Sequence, residues 1–568
     1  MTEGRGGTAT GPAVTLTVSQ ETELTVGAAA EGVHAFFDIH TRGLGSAVRG
    51  AAPETAEVIV VDCSGSMGSP RSKITAARDA AVSAVAGLRE GTRFAVVEGR
   101  HVARMVYPPD ERLERADHDT RAEAAAGIRR LYPNGGTSIG AWLGLARRLF
   151  ANDPGDIRHA VLLTDGWNAH HPELLAHELD ACEGLFVCDA RGIGDGWNAR
   201  ELKLIADRLH GTADAVLRDT DLTAEFESMI RASMARTVAG LPIRLSLMPG
   251  STLRFLKQVY PTERELTGSG RWTDDRTVEF PTDAWGGDET RQYHLCLEAG
   301  PEGRPQHEEL QLGYVDVAVP LEGVPAPDPV PVLVRWIPGD RASTVVSRIR
   351  EHFDLHHALG RTLAEAYEAY QDGDTVTTEA RLVAALPIAH RLDDQEKLRL
   401  LAEVLDITDP VTGQARLKEA FDPRHMGRFI MLGDDSTVFR EDGAGLGGSA
   451  PRAPGSRPPL GASGATRICP NPDCEARSPA DARFCVRCAH ALADAGAAAD
   501  AADAGAAAEA KVTPDAPDAL DGPDALESAD ASESAGAAGT ADAPDAADVA
   551  YPADGPGSRT AGGPERRP

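Results

Sequence analysis

Three oxygen-bearing side chains, Asp62, Ser64 and Ser66, stand at alternate positions directly after the apolar run Val58-Ile59-Val60-Val61. The run is short, β-branched and without polar alternation, the pattern of a strand buried on both faces of a parallel sheet. Open α/β sheets hold their ligands in loops at the carboxyl ends of such strands. Gly65 lets this loop turn tightly enough for the carboxylate and both hydroxyls to face one point. Hard oxygens with little net charge suit Mg²⁺, which keeps waters and demands octahedral geometry. Alone, D-x-S-x-S is also ordinary turn composition, because Asp and Ser bond readily to nearby backbone.

Two further segments strengthen the reading. Asn134-Gly135-Gly136-Thr137-Ser138-Ile139-Gly140 opens a helical stretch, and Thr137 offers another hydroxyl. Residues 159–163 form a second buried-strand candidate ending in Thr164-Asp165-Gly166. In this order the three segments resemble the metal-ion-dependent adhesion site (MIDAS) of von Willebrand factor A (vWA) domains. That pattern is D-x-S-x-S, then a Thr in a Gly-rich loop, then an Asp before Gly. The resemblance implies that Asp62, Ser64, Ser66 and Thr137 surround Mg²⁺ or another divalent cation directly or through water. Asp165 would act there too, often through water. It also implies binding rather than catalysis, with a partner protein's carboxylate filling the open coordination position. A hydrolytic alternative would draw on His170, His171 and His177, which follow the Asp165 loop. No H-E-x-x-H or paired-carboxylate pattern accompanies them, and they read as a solvated loop and helix face.

The elements that must position these residues follow from the alternation between 54 and 235. Strand candidates are 57–61, 93–98, 102–107, 159–164, 185–189 and 213–217. Helix candidates are 72–88, 119–131, 138–150, 172–182, 199–209 and 221–234. Such βα repetition gives an α/β, doubly wound, Rossmann-like sheet, the vWA domain. Residues 238–335 instead alternate with period two between Gly/Pro/Asp turns, as in Ile243-Arg244-Leu245-Ser246-Leu247, and read as a β-sandwich. The strands expected within 14–50 join it. Neighbouring sandwiches in inter-alpha-trypsin-type and coat-protein trunk vWA proteins are similar.

Residues 343–425 read as a small antiparallel helical bundle, with stripes beginning at Leu355, Leu359 and Leu363. Its histidines His352, His356 and His357 are expected at surface positions. Residues 426–466 read as linker, Gly/Pro/Ser/Arg-rich from 441 onward.

A second metal site is expected at 467–492. Cys469 and Cys474 are followed, after ten intervening residues, by Cys485 and Cys488. Four thiolates in two pairs match tetrahedral Zn²⁺, which folds a short segment without a large core. The arrangement resembles a zinc ribbon; a redox-active C-x2-C is the alternative, without a βαβ unit around it.

The chain of 568 residues is too long for one core, and its formal charge of −30 disfavours non-specific nucleic-acid binding. Residues 491–568 hold sixteen acidic and four basic side chains. Residues 493–568 and 1–13 have the composition of disordered segments. No N-terminal apolar core of a signal peptide and no run of eighteen apolar residues occurs, so a cytoplasmic location is expected, with no membrane partner. Cys63, Cys182, Cys188 and Cys296 are scattered as in a reducing compartment. Heavy Ala, Gly, Arg and Asp use with little Lys resembles actinobacterial proteins.

The whole reads as a non-enzymatic scaffold. It resembles bacterial vWA proteins that work beside Ser/Thr kinases, PP2C-type phosphatases and FHA domains, or as adaptors of MoxR-type or chelatase ATPases. Asp434-Asp435-Ser436-Thr437-Val438-Phe439 resembles the acidic-Thr-hydrophobic segment phosphorylated in actinobacterial FHA regulators, which makes Thr437 a candidate phosphorylation site in a flexible setting.

Overall fold

The structure is a computed structural model that describes residues 11–20, 22–47, 53–169, 172–302, 304–339, 348–440, 466–468 and 477–479. Cys469, Cys474, Cys485 and Cys488 lie outside the described residues, as do His170, His171 and the acidic tail. Residues 466–468 and 477–479 pair antiparallel.

Strand β1 (Thr55–Asp62) is buried along its whole length. Burying each of its four consecutive apolar side chains contributes about 1.5–3 kcal/mol. Helix α1 (Arg71–Gly87) follows it, then strands Arg93–Gly99 and Ala103–Tyr107 on one side of the sheet. The chain crosses back through helix α2 (Ile139–Ala151) to strand β2 (Ile157–Gly166), which pairs with β1 on its other side. Strand β3 (Val187–Gly196) and strand Ala213–Val216 continue outward in parallel. The order therefore reverses between β1 and β2, and their carboxyl ends form the crevice where such sheets bind ligands.

Residues 238–337 and the three strands within residues 13–42 build two further sheets. One runs Ala13–Gln20, Val33–Arg42, Glu289–Ala299, Ser251–Tyr260, Arg264–Glu265. The other runs Arg271–Trp272, Thr277–Phe280, Ile243–Leu247, Glu309–Val317, Val330–Ile337, Glu23–Thr25. Period-two alternation puts Phe37, Tyr293, Phe280 and Trp336 into one core between them, which Trp285 joins from a separate two-residue strand.

Helix α3 (Arg348–Gln371) is followed by helices Thr375–Arg391 and Gln395–Val404. Asp374 and Asp394 start the latter two by accepting from the backbone N–H groups of Thr377 and Lys397, each at 3.0 Å. The bundle is not purely helical: a hairpin of Leu405–Asp409 and Gln414–Leu417 follows. Nor does linker begin at residue 426. Helix α4 (Arg424–Met431) occupies 424–431, burying Met426 and Phe429 on one side. Arg428 of α4 is bidentate to the buried carboxylate of Asp214, at 2.7 and 3.1 Å. One face of the β1–β3 sheet shares its core with the bundle: Val58, Val60 and Leu162 belong to the same apolar cluster as Leu359, Leu382, Leu401 and Phe429.

Residues 434–439 lie along α3 and the outer face of the five-stranded sheet. The Thr437 N–H donates to His356 Nε2 at 3.1 Å, and His352 Nε2 donates to the Thr437 carbonyl at 2.8 Å. Gln292 holds both backbone groups of Phe439, at 2.8 and 3.1 Å. Thr437 is thus docked rather than in a flexible setting. His356 is buried and His352 half-buried, against the expectation of surface positions; His357 is exposed. The physical reason is that Val438 and Phe439 cover Phe36, Tyr260 and Phe353, which pulls the histidines beneath the segment.

Candidate metal centre

Three loops meet at the carboxyl ends of β1 and β2 and are knitted together through backbone. The Gly65 N–H donates to the Gly135 carbonyl at 2.9 Å, and Asn134 N–H to the Cys63 carbonyl at 2.8 Å. Gly135 has φ +83°, and a Cβ there would stand 2.6 Å from His101 Nδ1. The start of α2 is held by Asn168, whose Oδ1 accepts the Ile139 N–H at 2.8 Å. Trp142, fully buried in α2, donates its Nε1–H to the Arg100 carbonyl at 2.6 Å and fixes the helix against the sheet edge.

All five expected residues come together here. Asp62 Oδ1 accepts the Ser64 N–H at 2.7 Å, and Oδ2 accepts the Thr164 hydroxyl at 2.6 Å. The Ser64 and Ser66 hydroxyl oxygens are 2.9 Å apart. Ser66 donates to Asp165 Oδ1 at 2.6 Å, and Ser64 Oγ approaches the same oxygen at 3.5 Å. Thr137 is buried, and among the described residues nothing bonds its hydroxyl. A Cβ on Gly166 would lie 3.3 Å from Thr137 Oγ1 and 3.8 Å from Ser66 Oγ, so the bare glycine leaves open the space these oxygens border.

Burial pushes the Asp62 carboxyl up to about 6; hydrogen bonds from Thr164 and Ser64 work against this, and the charge of Asp165 adds to it. A cation at the site would reverse that balance. The donor set is entirely oxygen, from two carboxylates and three hydroxyls, and carboxylate lone pairs remain beyond those used internally. These residues fit a hard divalent cation.

Sequence reasoning missed Thr164, Asn168 and Lys73. The Lys73 ammonium lies 2.9 Å from Asp165 Oδ2, with both side chains buried. Its signal was positional: Lys73 shares the inward stripe of α1 with Ala77, Ala80 and Ala84. A cation in register with an apolar helix face needs a buried anion. His177 is exposed on the helix Pro172–Cys182.

Residues 57–215 match the von Willebrand factor type A domain. A von Willebrand factor type A protein from Catenulispora acidiphila is 33% identical across 75% of this chain and 98% of its own, with a TM-score of 0.66. The chain belongs to the von Willebrand factor type A family. The ArnB paralog VWA2 from Sulfolobus acidocaldarius is 12% identical across 75% of this vWA chain and 99% of its own, with a TM-score of 0.42. Proximal thread matrix protein 1 from the mussel byssus, solved with zinc in its MIDAS motif, is 24% identical across 32% of this chain and 46% of its own, with a TM-score of 0.27. No curated protein matches this vWA chain. Among the described residues no helix is long and apolar enough to cross a membrane.

Proposed function

We propose that this vWA protein is a metal-dependent protein-binding scaffold without enzymatic activity. Asp62, Ser64, Ser66 and Thr137 hold Mg²⁺ or a similar cation, Asp165 completes the site through water, and a partner's carboxylate takes the remaining position. The observation that carries this reading is the convergence of Asp62, Ser64, Ser66, Thr137 and Asp165 from three loops onto one oxygen-bordered space that the bare Gly166 leaves open. The Thr137 hydroxyl, with no hydrogen-bond partner among the described residues, keeps its lone pairs free for a cation.

The rim supports a protein partner. Val102, Tyr132 and Trp167 are exposed by 40, 57 and 59% and come from the loops around the metal centre. Exposed aromatic side chains ringing a charged centre are what a protein interface uses as anchors. Arg100 stacks under Tyr132 at 4.5 Å and holds that ring in place. A hydrolase would need a base beside the metal other than the metal's own ligands, and His177, one of the histidines it would draw on, is exposed on the helix Pro172–Cys182.

The wider reading is a cytoplasmic signalling scaffold working with a Ser/Thr kinase, a phosphatase or an FHA protein; an adaptor of a MoxR-type or chelatase-like ATPase is the second. Cys469, Cys474, Cys485 and Cys488 hold Zn²⁺ on this reading, from their spacing alone. Affinity capture from the native cytosol, with and without EDTA, tests the metal-bridged mechanism. Partners bound by wild type, released by EDTA and absent from Asp62→Ala support it. Capture indifferent to both sinks it.

A further inference from the structure

The metal centre carries its own cation. Lys73 enters from the first turn of α1 and places Nζ on the side of Asp165 opposite the hydroxyls: Asp165 Oδ2 faces Lys73 while Oδ1 faces Ser66. The place for that ammonium is built. Gly194, at the end of β3, has φ +74°, and a Cβ there would stand 2.7 Å from Lys73 Cε and 3.0 Å from Nζ. A side chain at 194 would evict the lysine, so two separate elements define its position.

The charge count follows. With both carboxylates ionised, Asp62 and Asp165 supply two negative charges and Lys73 returns one positive. The resting centre is therefore weakly anionic, and a bound divalent cation would leave it net positive. Buried charges a few ångströms apart interact strongly, and cation sites tune their affinity by ligand charge count. A net positive, partly buried centre at a sheet edge demands an outside anion.

We infer that Lys73 is a resident counter-ion that keeps metal affinity low in the free protein and so makes metal binding and capture of a carboxylate interdependent. This rests on the metal-binding reading above. Neither the cation alone nor the carboxylate alone balances the charge; together they do. By linkage, whatever factor the carboxylate adds to metal affinity, the metal adds to carboxylate affinity. The partner this selects is one that presents an acidic side chain, and the chain discriminates against partners offering only neutral oxygens. Lys73 is a positioning and tuning residue: it contacts Asp165, not the partner.

The test uses the full chain and Mn²⁺ as probe, with the free ion followed by its EPR signal, in chloride and in acetate. Wild type is compared with Lys73→Met, Lys73→Gln, Lys73→Arg and Asp62→Ala. Removing the charge is expected to tighten Mn²⁺ binding by roughly tenfold or more and to shrink the further gain that acetate brings. Lys73→Arg should keep the wild-type values. Lys73→Gln retains a donor toward Asp165, so it remains interpretable if Lys73→Met, which leaves that carboxylate unpaired, fails to fold in EDTA. Unchanged or weaker Mn²⁺ binding in both uncharged variants, with binding still abolished by Asp62→Ala, overturns the role of Lys73 and leaves the metal reading standing. Binding that survives Asp62→Ala unchanged removes both.

Discussion

His159 and Glu57 face each other across β2 and β1, Nδ1 to Oε1 at 2.6 Å, five residues upstream of Thr164 and Asp62, which bond at the other end of the same strands. The ring's Nε2 meets Asp189 Oδ2 of β3 at 3.0 Å, and Ser233 donates to the second oxygen of Glu57 at 2.9 Å. One pair of strands thus holds a buried ion cluster at one end and the metal ligands at the other. Burial alone would depress the imidazole, but the two carboxylates outweigh it and push His159 up to about 9.

That shift sets a pH dependence. His159 binds its proton more tightly folded than unfolded, so its stabilisation is fully present below about 6.5 and is lost as pH rises through about 9. Urea unfolding should show stability falling by about 3 kcal/mol across that window. His159→Gln should lose this slope and be less stable at neutral pH, since Glu57 and Asp189 then lack their partner. A flat profile in wild type would falsify the assignment.

Thr137→Ala separates stability from function. The hydroxyl has no hydrogen-bond partner among the described residues, so its loss should change unfolding free energy by no more than about 0.5 kcal/mol. Mg²⁺ binding by calorimetry should nonetheless weaken by roughly tenfold, because a ligand oxygen is gone. A large drop in stability would mean that the hydroxyl serves the fold.

The docked segment around Thr437 should open in acid. His356 accepts the Thr437 N–H, which only its neutral ring can do, and burial holds its pKa well below the ordinary value. The unfolded or undocked state takes the proton more readily, so the contact is intact above about 6.5 and weakens as pH falls below it. Hydrogen exchange of the Thr437 and Phe439 amides, corrected for intrinsic rate, should rise between pH 7.5 and 5.5. The same segment limits modification. A phosphate on Thr437 cannot keep both histidine contacts, so a Ser/Thr kinase should modify His356→Ala faster than wild type. Equal rates would show that the docking does not shield the hydroxyl.

Purified protein should carry about one Zn²⁺ per chain, lost in Cys485→Ser or Cys488→Ser, because three thiolates hold the ion far less well than four. The main thermal transition should not move. Metal analysis showing no zinc in protein prepared without chelator, or a disulfide among these cysteines, would refute the site.

The sheet was legible because its strands are unambiguous: Val58 to Val61 and Ala160 to Leu163 are buried on both faces, so no alternation competes with the apolar run. The site residues were legible for the same reason, since each follows such a strand or opens a helix at a Gly-rich turn. Lys73 was not, because on an apolar helix a single lysine looks like an exposed interruption until its anion, 92 positions away, is brought beside it. Helix α4 escaped notice because it is eight residues long, and its Met426 and Phe429 gain meaning only against the vWA sheet. The docking of Thr437 depends on Gln292 and His356, whose side chains bind backbone and leave no periodic trace.

The core shared by the vWA sheet and the helices after it also fixes an order of events during synthesis. When residue 234 has left the ribosome every strand of that sheet exists, yet the apolar face later joined by Leu359, Leu401 and Phe429 still lacks those partners. Roughly two hundred more residues must be translated, on the order of ten to forty seconds at ordinary ribosomal elongation rates. The nascent chain waits with that face incomplete, and the strand Val33–Arg42 waits with it for its second neighbour in the five-stranded sheet, Glu289–Ala299. A shortened chain ending after the vWA domain would stay in that waiting state permanently.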